Sequence, residues 1–205
     1  FVHVKHGLYL NPEGKKFSTR RGDTVGIERV LTEAVERAKK LGNSTSDEIA
    51  TAVGIGAVKY FDLSHSSRSN IVFSWEKMFL LTGNSGPYLQ YTYARCSSVL
   101  HKAGLSGAGL QVSGGQNAVS DKLENEETLL LRTFYKFPEV VEDAAQQFAP
   151  NLICNYLFDL ASKYNLMYNN LPILGNDLRL ALTQATANIL KSGLDLLGIQ
   201  APERI

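Results

Sequence analysis

The stretch GNSGPYLQYTYARCSSVLH, residues 83–101, carries side chains that could bind nucleic acid. Tyr88, Tyr91 and Arg95 recur at helical spacing, so a helix would place two rings and a guanidinium on one face, which Ser98 extends. Unpaired bases stack on aromatic rings and on Arg planes. The pattern therefore indicates a base-stacking surface. The alternative is a helix whose tyrosines cover a second core face with their hydroxyl groups in water.

A second group of candidate residues lies in GKKFSTRRGDTV, residues 14–25, which combines hydroxyl groups, two glycines and four cations. The cations are Lys15, Lys16, Arg20 and Arg21. Ammonium and guanidinium groups bind oxyanions, and glycine permits a close approach of the backbone to a phosphate. The loop is therefore a candidate oxyanion site. A solvated basic loop is the alternative.

The first group requires a helix, and the sequence supplies its signals. Asn84 or Ser85 can cap it, and Pro87 suits the first helical position, where its missing N–H costs nothing. An apolar face at helical spacing lies on another side of the same helix. Its members are Leu89, Tyr93, Cys96 and Leu100.

Elements before this helix follow from alternation and periodicity. Residues 1–12 alternate and predict one or two short strands, and residues 70–75 predict an extended segment with one buried face. Apolar periodicity predicts a helix over 27–41 and a second one that begins at Ser46. Two glycines inside the second helix indicate close packing against a neighbour. They are Gly54 and Gly56.

After the central helix, residues 104–120 are rich in Gly, Ser and Gln and lack periodicity, which predicts a loop. The remainder is predicted to be helical. Its segments are a helix over 124–136, one that starts at Phe137-Pro138, one that starts at Pro150, a loop over 168–176, and a last long helix closed by Gly198.

Composition bounds the function. The net charge of +1 gives no global attraction to nucleic acid, so RNA binding would need local basic patches, and nothing indicates DNA as a partner.

Cys96 and Cys154 lack metal-ligand spacing, so we expect buried free thiols in a reducing compartment and no metal site. No stretch is long enough to span a membrane. Because Phe1 is not an initiator residue, we expect the chain to start inside a longer protein.

The stretch GNSGPYLQYTYAR resembles the signature that opens the anticodon-binding domain of arginyl-tRNA synthetases. RTFYKFPEVVEDAA and ALTQATANILKSGLDLLGIQAPERI resemble the same family, so the likeness runs from about His3 to Ile205. It implies that Tyr88, Tyr91 and Arg95 contact the anticodon loop of tRNA(Arg). The family usually ends in methionine, which helps to shape the anticodon pocket. Ile205 keeps an apolar end without the thioether.

The run Lys16-Phe17-Ser18-Thr19-Arg20 resembles the lysine-serine loop of class I synthetases, with Thr19 where the second lysine usually stands. In that class the loop closes over ATP, and its cations stabilise the departing pyrophosphate. The resemblance therefore implies that Lys15, Lys16, Ser18, Thr19 and Arg20 bind ATP, with Lys16 and Arg20 catalytic. Which cation touches phosphate stays open.

The resemblance implies a mainly α fold: a helical-bundle anticodon-binding domain at 76–205, a helical connecting region at 27–75 that contacts the tRNA stem, and a small α/β remnant of the catalytic domain at 1–26. It implies part of a cytoplasmic, monomeric arginine–tRNA ligase that uses ATP with Mg²⁺, arginine and tRNA(Arg). The chain lacks the first class I signature, so we expect it to be inactive alone. The alternatives are a stand-alone RNA-binding or interaction module and a purely structural helical domain.

Overall fold

The structure, a computed structural model, describes residues 1–16, 26–41, 46–105 and 122–205 and is mainly α-helical, as predicted. The predicted ATP-binding residues Ser18, Thr19 and Arg20 and the loop predicted over 104–120, apart from its first two residues, lie outside these ranges. The elements, in chain order, are β1 (Tyr9–Leu10), α1 (Ile27–Leu41), α2 (Asp47–Leu63), β2 (Ile71–Val72), α3 (Trp75–Met78), α4 (Gly86–Lys102), α5 (Asn125–Phe134), α6 (Phe137–Gln147), α7 (Asn151–Asn170) and α8 (Asp177–Leu196).

The two short strands form a parallel pair in which Tyr9 lies opposite Ile71. Ile71 is buried and Val72 is exposed, which confirms an extended segment with one buried face. The predicted extension through Trp75 is wrong, because Trp75 begins α3. The Ser74 hydroxyl caps that helix by accepting the N–H of Lys77.

Helices α1 and α2 pack against each other where a glycine removes the side chain. Helix α2 starts at the predicted position, and Ser46 caps it, since its hydroxyl accepts the N–H of Ile49 at 3.3 Å. A β-carbon on Gly54 would lie 2.7 Å from the backbone nitrogen of Val35 in α1. This contact confirms the close packing that the glycines of α2 predict.

The central helix α4 begins at Gly86, and Ser85 caps it by accepting the N–H of Tyr88 at 3.2 Å. Pro87 is the second helical residue rather than the first. The predicted apolar face is confirmed, since Leu89, Tyr93, Cys96 and Leu100 are all buried. A β-carbon on Gly86 would lie 2.7 Å from the carbonyl oxygen of Gly56, so α4 also touches the α2 backbone.

Side-chain hydrogen bonds hold the C-terminal tail against α2 and α4. The buried side chain of Gln90 in α4 donates to the carbonyl oxygens of Ala52 at 3.0 Å and Gln200 at 2.7 Å. The Lys59 ammonium donates to the carbonyl of Gly198, which has a φ of +66° and follows the end of α8 as predicted. Helix α2 therefore joins the N-terminal part, the central helix and the tail.

Helix α7 is longer than the sequence predicts. The predicted loop begins at Tyr168, but α7 continues to Asn170, and Leu171 follows in an extended conformation. The tyrosine ring packs near Tyr164, one turn earlier, with centroids 6.3 Å apart. The helix thus continues through residues of modest helix propensity and places Tyr168 on a rigid element.

Cys96 and Cys154 are free and buried, as predicted, and burial raises the pKa of each thiol to about 12. Both thiols are therefore neutral near pH 7. Among the described helices, none is long and apolar enough to cross a bilayer.

Candidate nucleic-acid interface

The Arg95 guanidinium lies against two tyrosine rings that come from different helices. Its Cζ atom is 5.0 Å from the centroid of Tyr91 in α4 and 4.6 Å from that of Tyr168 in α7. Tyr91 is 42% exposed and Tyr168 is 40% exposed, so both rings keep accessible surface. We call this set the Tyr91–Arg95–Tyr168 cluster. Its planar groups have the shape that stacks unpaired bases.

Tyr88 differs from Tyr91, although the sequence treats them alike. Its ring is partly buried against the main core, and its centroid is 5.7 Å from that of Phe158 in α7. The alternative in which tyrosines cover a core face thus describes Tyr88 in part. Its hydroxyl nevertheless reaches a polar group, since it accepts the Asn165 side-chain N–H at 3.0 Å.

Asn165 of α7 connects the face of α4 that carries Tyr88 and Arg95 to the rest of the bundle. Its side-chain oxygen accepts a hydrogen bond from the Arg95 guanidinium, and its nitrogen donates to the hydroxyls of Tyr88 and Thr92, each at 3.0 Å. Asn165 is 9% exposed. Sequence reasoning missed both Asn165 and Tyr168. Asn165 lies three residues before Tyr168, a spacing that places both side chains on one side of a helix. Nothing in the local sequence of α7 indicates that these side chains contact α4.

An open cleft of about 260 Å³ continues this surface toward the end of α4. Its charged side chains are three cationic or basic groups and one carboxylate. The lining residues are Ser97, Ser98, His101, Lys102, Glu203 and Arg204. The sequence-predicted Ile205 follows the last of these and is 44% exposed. The last two turns of α4 and the tail thus provide hydroxyl groups and positive charge beside the aromatic cluster.

Lys15 and Lys16, the candidate ATP-binding cations that the structure describes, lie outside the helices that form the aromatic cluster. Backbone N–H groups of Glu13 and Lys15 donate to the Asn11 side chain at 3.1 and 2.8 Å, which stabilises a turn after β1. The exposed Lys15 ammonium pairs with Glu13 at 3.2 Å, and Lys16 forms an antiparallel bridge with Leu10. An exposed pair of this kind is weak, so the Lys15 ammonium is free to change partners. No group of three potential metal ligands occurs among the residues the structure describes.

Two protein families match different parts of the chain. Residues 1–75 match the class I tRNA synthetase (R) catalytic domain, and residues 89–205 match the DALR anticodon binding domain. The chain belongs to the DALR anticodon-binding domain family. The DALR region begins directly after Tyr88 and contains Tyr91, Arg95, Asn165 and Tyr168, so the whole cluster and its buried amide lie inside it.

Curated relatives and a solved structure agree with this DALR assignment. The chain is 41% identical over 221 residues to arginine–tRNA ligases of Cyanothece sp. and Thermococcus kodakarensis, matching all of this chain and 37% and 34% of theirs. The arginyl-tRNA synthetase of Thermus thermophilus superimposes with a TM-score of 0.80 at 30% identity, covering 98% of this chain and 35% of that one. The chain thus spans about a third of the length of these proteins.

Proposed function

We propose that this chain is part of an arginine–tRNA ligase and that the Tyr91–Arg95–Tyr168 cluster, with Tyr88, binds the anticodon loop of tRNA(Arg). The observation that carries the proposal is the Arg95 guanidinium held against two exposed rings. The relatives carry the name arginine–tRNA ligase, which supports this activity, and we propose arginine and ATP as the other substrates of the complete protein.

The recognition step needs planar surfaces that are ordered before the RNA arrives. The tyrosines of the cluster supply rings for stacking, which contributes about 1–3 kcal/mol per base. Arg95 supplies a planar fork of N–H donors for a base edge or a phosphate. Lys102 and Arg204 in the cleft supply positive charge for the backbone that leads away from the stacked bases. Ile205 offers an apolar contact at the end of the tail.

The catalytic contribution of the chain is the cationic loop. ATP, bound with Mg²⁺, supplies the phosphoryl chemistry in the complete enzyme. The exposed ammonium groups of Lys15 and Lys16 and the guanidinium of Arg20 would bind its phosphates, together with Ser18 and Thr19. Because negative charge develops on the departing pyrophosphate, Lys16 and Arg20 would act mainly on the transition state.

The division into a catalytic remnant at 1–26, a tRNA stem-contact region at 27–75 and an anticodon-binding domain at 76–205 belongs to the same proposal. So do a monomeric state and a cytoplasmic location. The buried free thiols are compatible with a reducing compartment.

The binding proposal is tested by titrating the chain with tRNA(Arg) transcripts. We expect saturable binding that weakens when the anticodon-loop bases are replaced, and weaker binding of a tRNA with another anticodon. Equal affinity for both tRNAs would contradict it and favour a general RNA-binding module. A mass measurement of the natural gene product separates the ligase from a stand-alone module, since a protein of about this length would rule out the ligase.

The loop proposal is tested in the complete enzyme by replacing Lys15, Lys16 and Arg20 singly with Ala. We expect kcat to fall more than arginine binding weakens, because the lost interaction forms in the transition state. Unchanged kcat in all three variants would remove the phosphate role.

A further inference from the structure

We propose that Asn165 is a positioning residue that makes the Tyr88 hydroxyl a hydrogen-bond donor toward the tRNA while it holds Arg95 in place. This inference rests on the proposed function and concerns the same surface. The RNA partner it predicts is a hydrogen-bond acceptor, either on a base or on the phosphate backbone.

The orientation of the Asn165 amide follows from the chemistry of Arg95. A guanidinium can donate hydrogen bonds but cannot accept them. The Asn165 atom that meets Arg95 must therefore be the carbonyl oxygen. The amide nitrogen then faces Tyr88 and Thr92, with each distance 3.0 Å.

The direction of the remaining bonds follows from Thr92. Its hydroxyl proton is used, since it donates to the backbone carbonyl of Tyr88 at 2.9 Å. Thr92 must therefore accept the first N–H of Asn165, and the Tyr88 hydroxyl accepts the second. Accepting that bond leaves the Tyr88 hydroxyl with its own proton to donate.

The location of the network makes this direction persistent. Asn165 and Thr92 are buried where α4 meets α7, so water does not readily replace either bond. Hydrogen bonds in such surroundings are stronger than in water, and an unpaired group there is costly. Tyr88 lies one helical turn before Tyr91, so a base stacked on Tyr91 lies close to a donor whose direction is set.

The variant Asn165→Asp tests this polarity directly. Aspartate has nearly the same size and keeps an acceptor for Arg95, but it replaces the N–H donors by an acceptor oxygen. The Tyr88 hydroxyl would then donate its proton inward. We expect the Kd for tRNA(Arg) to rise about three- to tenfold, the effect of losing one hydrogen bond. Tyr88→Phe, which keeps the ring, should raise Kd by a similar factor.

The double variant separates positioning from a merely structural role. When Asn165→Asp and Tyr88→Phe are combined, Kd should be no higher than in the single variant that binds tRNA(Arg) less tightly, because both changes remove the same donor. Asn155→Asp is the matched control, since it adds the same charge at an exposed position of α7 and should change Kd less than about twofold. Melting temperatures check that each variant is folded.

The inference is wrong if the double variant raises Kd by the product of the two single increases. It is also wrong if Tyr88→Phe binds tRNA(Arg) with the wild-type Kd, and this second result does not depend on whether the Asn165→Asp variant folds. Failure of the wild-type chain to bind tRNA(Arg) would instead refute the proposed function. Transcripts with single abasic positions in the anticodon loop distinguish the acceptors. The Tyr88→Phe penalty disappears at one position if the acceptor is a base and persists at every position if it is the backbone.

Discussion

Replacing Tyr91 by Ala should separate RNA binding from folding. The ring is 42% exposed, and its described contact is the one with Arg95. Losing an exposed cation–π contact costs about 0.5–1 kcal/mol, which lowers the melting temperature of a chain of this size by about 1–4 °C. Losing a stacked base costs about 1–3 kcal/mol, so the Kd for tRNA(Arg) should rise between about fivefold and about 150-fold.

Tyr135→Ala provides the matched control, because Tyr135 is 69% exposed at the end of α5 and is not a member of the cluster. It should leave both Kd and melting temperature near their wild-type values. Tyr88→Ala should behave differently from both, since its ring packs on Phe158 and the core and its loss should reduce stability as well as binding. Fluorescence titration measures Kd, and circular dichroism measures melting. A folded Tyr91→Ala protein with wild-type Kd would refute the stacking role.

Three further predictions concern other parts of the molecule. Arg95→Lys should weaken tRNA(Arg) binding nearly as much as Arg95→Ala, because an ammonium keeps the charge but loses the planar fork; equal titration curves for Lys and wild type would contradict this. Gly86→Val should lower the free energy of unfolding by about 1–3 kcal/mol in denaturant titrations, because its side chain meets the Gly56 carbonyl, whereas Gly26→Ala meets no atom within 4 Å and should be near neutral. The free energy of unfolding should fall from about pH 9 to about pH 12, because burial raises the Cys96 pKa and the unfolded chain loses that proton first. Cys96→Ala should make this fall shallower. An equal slope of stability against pH in the variant and the wild type would contradict the prediction.

Local patterns in the sequence predicted what depends on local physics. The span of α1, the start of α2 at Ser46, the Ser85 cap and the buried face of α4 follow from periodicity and short-range hydrogen bonds. The last turn of α7 could not be predicted in this way. Its Asn-Asn pair before Pro172 favours an earlier end, and a contact with α4 decides otherwise.

The candidate site also combines features that the local sequence predicts with features that depend on contacts between helices. Helical spacing was sufficient to place Tyr91 and Arg95 on one face, but it could not distinguish Tyr91 from Tyr88. That distinction depends on Phe158 and Asn165, which are 70 and 77 residues from Tyr88 along the chain. A buried amide has no periodic signature, so its role emerges only when two distant helices are seen together.

The position of α2 has a consequence for protein engineering. The two family matches leave this helix on the catalytic side, yet its backbone touches Gly86, its Ala52 carbonyl accepts the Gln90 side chain, and its Lys59 holds the tail. A chimera that exchanges anticodon domains by joining sequences near residue 76 would place these contacts between helices of different origin, and Gln90 would keep its Gln200 acceptor but depend on a foreign α2 for the second one. A donor segment that starts before Ser46 would carry the helix along with its partners.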